Sequence, residues 1–256
     1  MQLTRIAWCI FTWNPFSGCL KISPGCTFCY ASRLAEQKRG THAFPNGFEL
    51  TVRPHKLLEP FKLKFPSLIF LNSMSDLFWD QVDPTFRHQI VDVIEATPQH
   101  QYQVLTKRPE AMLEFSRERP LPRNFWAGVS IESQDYSWRA DVLREVDAAV
   151  RFLSLEPLLG PIDIDFSTMD WVIVGGESGS HLKDPQYADR ALVQKIGGKW
   201  VPRDDRIDWV RSIRDACVEA GTPFFFKQWG GPTSKSGGNE LDGRVWEQMP
   251  VITSRH

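Results

Sequence analysis

Seven short runs of β-branched and aromatic residues recur along the chain, spaced so that most leave room for a helix between them: "IAWCIF" (6–11), "SLIFLNS" (67–73), "QYQVLT" (101–106), "FWAGVSI" (125–131), "VRFLSLE" (150–156), "DWVIVGG" (170–176) and "PFFFKQW" (223–229). Most are nearly continuous apolar stretches. Strands buried on both faces have that pattern, as in a parallel sheet, whereas half-solvated strands alternate polar with apolar. Amphipathic stretches separate the runs. "DPTFRHQIVDVIEATP" has Asp83 as an N-cap, Pro84 in the first turn, Phe86, Ile90, Val93 and Ile94 on one face, and Pro98 as its stop. "DWVRSIRDACVEAG" has Asp208 as a cap, Trp209, Ile213, Ala216 and Cys217 on a stripe, and Gly221 in the position that closes helices. Strand and helix alternate about six times, which implies parallel βαβ units. An open doubly wound sheet and a full or partial barrel both fit. No G-x-G-x-x-G follows the first run, which weakens a dinucleotide-binding sheet.

A chain of 256 residues is long enough for one large α/β domain and buries roughly three quarters of its unfolded surface, so it needs no disulfide staples. The formal net charge of -1 provides no global field toward nucleic acid or an anionic membrane. Local basic patches remain at Lys56, Lys62 and Lys64, and at Lys107 with Arg108. No apolar run approaches the roughly 18 residues that span a bilayer, and the N-terminal apolar stretch is too short for a secretory signal. The expectation is a cytoplasmic protein with no membrane partner. Residues 1–256 show no clear boundary and read as a single domain. A polar insertion (178–207) and a flexible Gly/Ser-rich segment (230–243) interrupt the rhythm.

Five cysteines is an odd number, and three of them, Cys19, Cys26 and Cys29, fall in "WNPFSGCLKISPGCTFCYA" (13–31) with C-x6-C-x2-C spacing. In a reducing compartment, clustered cysteines point to metal or catalysis. Thiolates are soft ligands that select zinc, copper(I) or iron–sulfur clusters. A structural zinc site needs four ligands, and only His42 or Cys9 could complete one here. Without a fourth ligand, an iron–sulfur cluster with one open position fits the trio. Chance clustering is the remaining reading. Cys217 lies on an apolar helix stripe and reads as a small core residue.

"GCTFCYA" resembles the cluster loop of radical S-adenosylmethionine enzymes, with Phe28 as the aromatic residue before the last cysteine. The spacing departs from the commonest pattern of that superfamily, in which three residues separate the first two cysteines. "TWNPFSGCLKISPGCTFCYA", "IFLNSMSDLFW", "QVLTKRPE", "WAGVSIESQ", "RFLSLEPLLGP", "DWVIVGGESG", "WVRSIRDAC", "PFFFKQWG" and "DGRVWEQMP" together resemble an uncharacterised phage-associated, radical-SAM-like family known by its three-cysteine motif. The resemblance implies a parallel (β/α)-repeat partial TIM barrel of about six to seven strands, with the cluster loop after the first. It also implies a 4Fe–4S cluster on Cys19, Cys26 and Cys29, and S-adenosylmethionine on the remaining iron. Reductive cleavage of that cofactor would give a 5′-deoxyadenosyl radical that abstracts hydrogen from a substrate. The implied partners are a reducing protein such as a flavodoxin or ferredoxin, and a substrate left unknown, with a nucleic-acid base or nucleotide as one candidate. A zinc-stabilised nucleic-acid-binding or interaction module without redox chemistry is the alternative.

In such a barrel the site lies at the C-terminal ends of the strands, and polar residues do collect there. Asn72, Ser73, Ser75 and Asp76 follow the second run, Lys107 and Arg108 the third, and Ser130 and Glu132 end the fourth. Glu156 ends the fifth, Gly175, Gly176 and Glu177 the sixth, and Lys227 the last. Ser73, Ser75 and Asp76 are candidates for the methionine amino group or the ribose, and Ser130 and Glu132 for ribose or carboxylate. The Gly175–Gly176–Glu177 turn lets backbone approach adenine or the methionine group, because glycine has no Cβ. Phe28 shields the loop from water. Lys107, Glu156 and Lys227 are the candidate catalytic residues. Helix capping could account for Ser133, and for Asp76 as a second case. It accounts poorly for Lys107 and Arg108, since cations are disfavoured at a helix N-terminus.

Overall fold

The computed structural model describes residues 1–251. The chain divides into two compact units, Met1–Val129 with Glu145–Ala149, and Ser130–Arg144 with Val150–His256.

The first unit holds strands β1 (Gln2–Leu3), β2 (Phe11–Trp13), β3 (Leu68–Leu71), β4 (Gln101–Thr106) and all but the last residue of β5 (Phe125–Ser130), side by side in chain order. β1 is antiparallel to β2, and the others are parallel to their neighbours. In register, Trp13 lies opposite Leu71, Leu71 opposite Val104, and Val104 opposite Ala127. All six residues of β5 are buried, which explains its unbroken apolar run. Helices α1 (Tyr30–Gln37), α2 (Pro84–Glu95) and α3 (Pro109–Glu118) follow β2, β3 and β4. α2 starts as its sequence predicts, with the Asp83 carboxylate accepting the Phe86 N–H (3.1 Å). Its buried face is Phe86, Ile90, Val91, Val93 and Ile94, each side chain contributing about 1.5–3 kcal/mol by leaving water.

The second unit holds α4 (Trp138–Arg144) and the parallel strands β6 (Val150–Leu155), β7 (Trp171–Gly175) and β8 (Phe224–Gln228), with α5 (Ile207–Ala220) before β8. α5 begins two residues earlier than expected. Arg206 occupies the cap position, and Asp208 sits in the first turn, where its charge still suits the helix dipole. The buried stripe is Val210, Ile213 and Cys217, with Trp209 and Ala216 half-buried. Gly221 closes the helix in the left-handed conformation (φ 70°).

Both stretches that break the rhythm are built. Residues 178–207 contain two 3-10 turns and a hairpin pairing Val193–Ile196 with Lys199–Pro202, anchored by buried Leu182, Ala191, Leu192 and Val193. The Gly/Ser-rich segment 230–243, expected to be flexible, is pinned by backbone bonds from Gly231 N–H to Glu177 (2.9 Å), Gly237 N–H to Gly230 (3.0 Å) and Trp229 N–H to Gly238 (2.9 Å).

The fold is thus mixed α/β on a mostly parallel sheet of eight strands, five in the first unit and three in the second, of the partial TIM-barrel class. The antiparallel edge strand β1 is the element beyond the expected number. The cysteine loop follows β2, the first parallel strand. Among the described residues, no helix is long and apolar enough to cross a membrane.

Candidate functional site

The cysteine loop forms where the chain leaves β2. Phe16–Ser17 pairs with Thr51–Val52 in a short antiparallel ribbon that frames it. Gly18 then passes close to neighbouring backbone at φ 105°, and a Cβ there would lie 2.6 Å from the Glu49 carbonyl. Only glycine fits both the angle and the gap. Its N–H donates to the Met74 carbonyl (3.0 Å), which brings Cys19 beside the loop that follows β3. Cys26 ends the 3-10 turn Pro24–Cys26, and Cys29 is the N-cap residue of α1. All three thiols are free and their residues partly exposed. Phe28, between them, is half-buried. Burial pushes the Cys19 thiol up to about 11, the Asp76 carboxylate adds to this, and the Arg108 guanidinium opposes it.

The loop after β3 is bonded to the cysteine loop throughout. Asn14 Nδ2 donates to Ser73 Oγ (3.0 Å) and the Met74 N–H donates to Asn14 Oδ1 (3.1 Å). The Tyr30 hydroxyl donates to the Ser73 carbonyl (2.6 Å), and Ser75 Oγ to the Phe16 carbonyl (3.2 Å). Asp76 is buried and accepts from four donors: Phe78 N–H (3.0 Å), Thr106 Oγ1 (2.7 Å), Lys107 N–H (3.2 Å) and Arg108 Nη1 (2.8 Å). The hydrogen bonds of Ser73, Ser75 and Asp76, expected to hold the cofactor, therefore go to the protein itself. Asn72 differs. It sits at φ 61°, only 3% exposed, with neither its amide oxygen nor its amide nitrogen hydrogen-bonded. Its backbone N–H donates to the Trp13 carbonyl (2.9 Å), which places it at the tips of β2 and β3.

In the second unit the strand-end residues divide into bonded pairs. The Lys227 ammonium is 3.0 Å from Glu156 Oε1, both partly exposed. Glu132 is fully buried and paired with Arg139 (2.8 Å), which also donates to the Ser130 carbonyl (2.8 Å) and lies over the Tyr136 ring. Glu177 takes a two-pronged bond from Arg190 (2.6 and 2.7 Å). Gly175 and Gly176 are buried, and a Cβ on Gly176 would lie 2.1 Å from the Trp229 carbonyl oxygen. Glu132 and Glu177 are thus engaged with arginines, while Glu156 and Lys227 keep access to solvent. Sequence reasoning placed Tyr30 beside the cysteine loop as a shield from water, and missed Asn14 and the partners Arg139 and Arg190. The position of Asn14, directly after the first parallel strand, was the available signal.

Among the described residues, no group of three or more His, Cys, Asp or Glu side chains could hold one metal ion. The candidate fourth zinc ligands do not join the trio. Cys9 is buried in the core and His42 is exposed. A cluster makes a different demand, because each cysteine binds its own iron and the sulfurs stand further apart than the ligands of a single ion. Three cysteines on one short loop, at a helix start with no acidic residue in its first turn, match that demand in donor chemistry and in electrostatics.

These features define a mostly parallel α/β protein whose cysteine trio sits at the end of its first parallel strand. The chain belongs to a family described as a protein of unknown function (DUF5131), which matches residues 3–195 and 197–250. No curated protein matches the chain by sequence. Among solved structures it is similar to spore photoproduct lyase complexed with a dinucleoside spore photoproduct, at 12% identity and TM-score 0.52, covering 86% of this chain and 75% of that one. A tyrosine-to-phenylalanine mutant of spore photoproduct lyase is similar at 11% identity and TM-score 0.55, covering 87% and 77%. At such identities the likeness establishes the fold.

Proposed function

We propose that the protein is a radical S-adenosylmethionine enzyme whose 4Fe–4S cluster is held by Cys19, Cys26 and Cys29. The observation that carries this reading is the placement of all three thiols on one loop, off the first parallel strand and stitched to the tip of the next. When bound, the cluster supplies one-electron cleavage of the cofactor's sulfonium and so a 5′-deoxyadenosyl radical for hydrogen abstraction. The remaining functions fall to the chain. Asn72 offers an unused amide donor and acceptor for the amino or carboxylate group of the methionine moiety. Asn14, Tyr30, Ser73 and Ser75 keep the two loops together, and Phe28 limits water at the cysteines. The roles read for Lys107, Ser130, Glu132, Gly175, Gly176 and Glu177 remain part of the proposal. Glu156 and Lys227 are the charged pair open to a substrate. A nucleic-acid base or nucleotide is the substrate class we favour, because the fold is shared with a protein solved with a dinucleoside photoproduct. A flavodoxin- or ferredoxin-type protein is the proposed electron source.

The test is anaerobic reconstitution with iron and sulfide, followed by reduction with S-adenosylmethionine present. The expected result is a brown protein that releases 5′-deoxyadenosine, with each of Cys19→Ala, Cys26→Ala and Cys29→Ala abolishing both. A colourless protein carrying one tightly held zinc overturns the proposal.

A further inference from the structure

Arg108 occupies the N-cap position of α3, yet its side chain caps nothing, and a cation is disfavoured at that end of a helix. The guanidinium turns instead to the cysteine loop. Nη1 lies 2.8 Å from Asp76 Oδ2 and 3.7 Å from Cys19 Sγ, and Nη2 donates to the Leu20 carbonyl (3.3 Å). Asp76 holds this pose firmly, since its other acceptor sites take Phe78 N–H, Thr106 Oγ1 and Lys107 N–H. Thr106 Oγ1 in turn accepts the Arg108 N–H (2.9 Å). The pair is largely buried, with side-chain exposures of 15% for Arg108 and 7% for Asp76, so salt screens it weakly. A salt bridge that merely pinned two loops would not need a nitrogen on the sulfur of the first cysteine as well.

We propose that Arg108, oriented by Asp76, is a positioning residue whose guanidinium hydrogen-bonds the Cys19 sulfur and raises the reduction potential of the cluster on that loop. The inference rests on the cluster reading above. A donor and a positive charge at a ligand sulfur stabilise the more negative, reduced cluster over the oxidised one. The carboxylate behind the arginine limits the effect and fixes its direction in space.

The test is a potentiometric titration, followed by electron paramagnetic resonance, of anaerobically reconstituted wild type, Arg108→Gln, Arg108→Lys and Asp76→Asn, with iron and sulfide content measured on each. Arg108→Gln is expected to keep its iron while its reduced-to-oxidised ratio at fixed poise falls about tenfold, a shift of ~59 mV for a one-electron couple. Arg108→Lys retains the charge without the fork and falls in between, and Asp76→Asn, which keeps the cation and loses a negative charge, stays above the Arg108→Gln midpoint. An Arg108→Gln protein with full iron content and an unchanged midpoint overturns the inference and leaves the cluster reading standing. A wild type that takes up no cluster overturns both. Should Arg108→Gln fail to hold iron, Arg108→Lys decides, and a midpoint equal to wild type counts against the proposal.

Discussion

Asn72 carries two costs that folded proteins usually avoid. Its left-handed backbone (φ 61°) costs roughly 1 kcal/mol for a residue with a Cβ, and its two unpaired buried amide atoms cost about 1–3 kcal/mol each. Such strain persists where a ligand repays it. Asn72→Gly should therefore stabilise the ligand-free protein by about 1 kcal/mol in thermal melts while weakening S-adenosylmethionine binding at least tenfold in equilibrium dialysis. A variant that is less stable yet binds normally would assign Asn72 to the scaffold. Cys217 shows the opposite case, a group satisfied by burial alone. Desolvation pushes its thiol from 9.0 up to about 12. The unfolded chain ionises first, so the stability tied to this thiol is complete below pH 9 and is lost as pH rises toward 12. The slope is at most about 1.4 kcal/mol per pH unit. Cys217→Val should flatten the alkaline limb of a stability–pH curve measured by urea unfolding. An identical limb in both proteins rejects the assignment.

At the scale of elements, the two glycines at the end of β7, Gly175 within it and Gly176 just after, separate packing from electrostatics. A Cβ on Gly176 would lie 2.1 Å from the Trp229 carbonyl oxygen, which is backbone, whereas one on Gly175 would lie 2.2 Å from Glu156 Oε1, the end of a side chain. Gly176→Ala must move the end of β8 and should cost about 1–3 kcal/mol or more. Gly175→Ala needs only to displace Glu156 from Lys227 and should cost less than about 1 kcal/mol of stability. Urea denaturation of the two variants checks this, and equal losses would refute it. The same turn shows what a sequence can reveal. Buried strands announce themselves because both faces are apolar, and α2 announces its start through Asp83 and Pro84. The start of α5 was misplaced because Asp208 suits a first turn as well as a cap. The cysteine trio was legible from residue type and spacing. The Asp76–Arg108 contact was not, because pairing of Leu71 with Val104 brings together two loop segments that are separate in sequence. Glu177 looked available for the same reason, since its partner Arg190 lies inside the insertion.

For the whole molecule, charge decides how a nucleic-acid substrate could be engaged. The chain has 30 Lys and Arg against 31 Asp and Glu, and many cations are already committed. Arg119 pairs with Asp92 and Glu95, and Arg211 and Arg214 share Asp242, whose carboxyl these two guanidiniums hold down at about 2. The near-balanced total leaves no net excess of positive charge to replace counterions along a duplex. Affinity for long DNA should therefore depend weakly on salt, with a log–log slope no steeper than about -3, corresponding to roughly three neutralised phosphates. Recognition then has to come from contacts to a base or a short segment at the strand ends, where stacking and hydrogen bonds act at close range. Fluorescence anisotropy on duplex, single-stranded and dinucleotide-sized ligands across a salt series measures this. A shallow slope with competition by the small ligand fits the proposed substrate class. A slope near -6 or steeper, with no competition by the small ligand, would mean that an extended basic track drives binding, and the near-neutral charge would then have to conceal a concentrated patch.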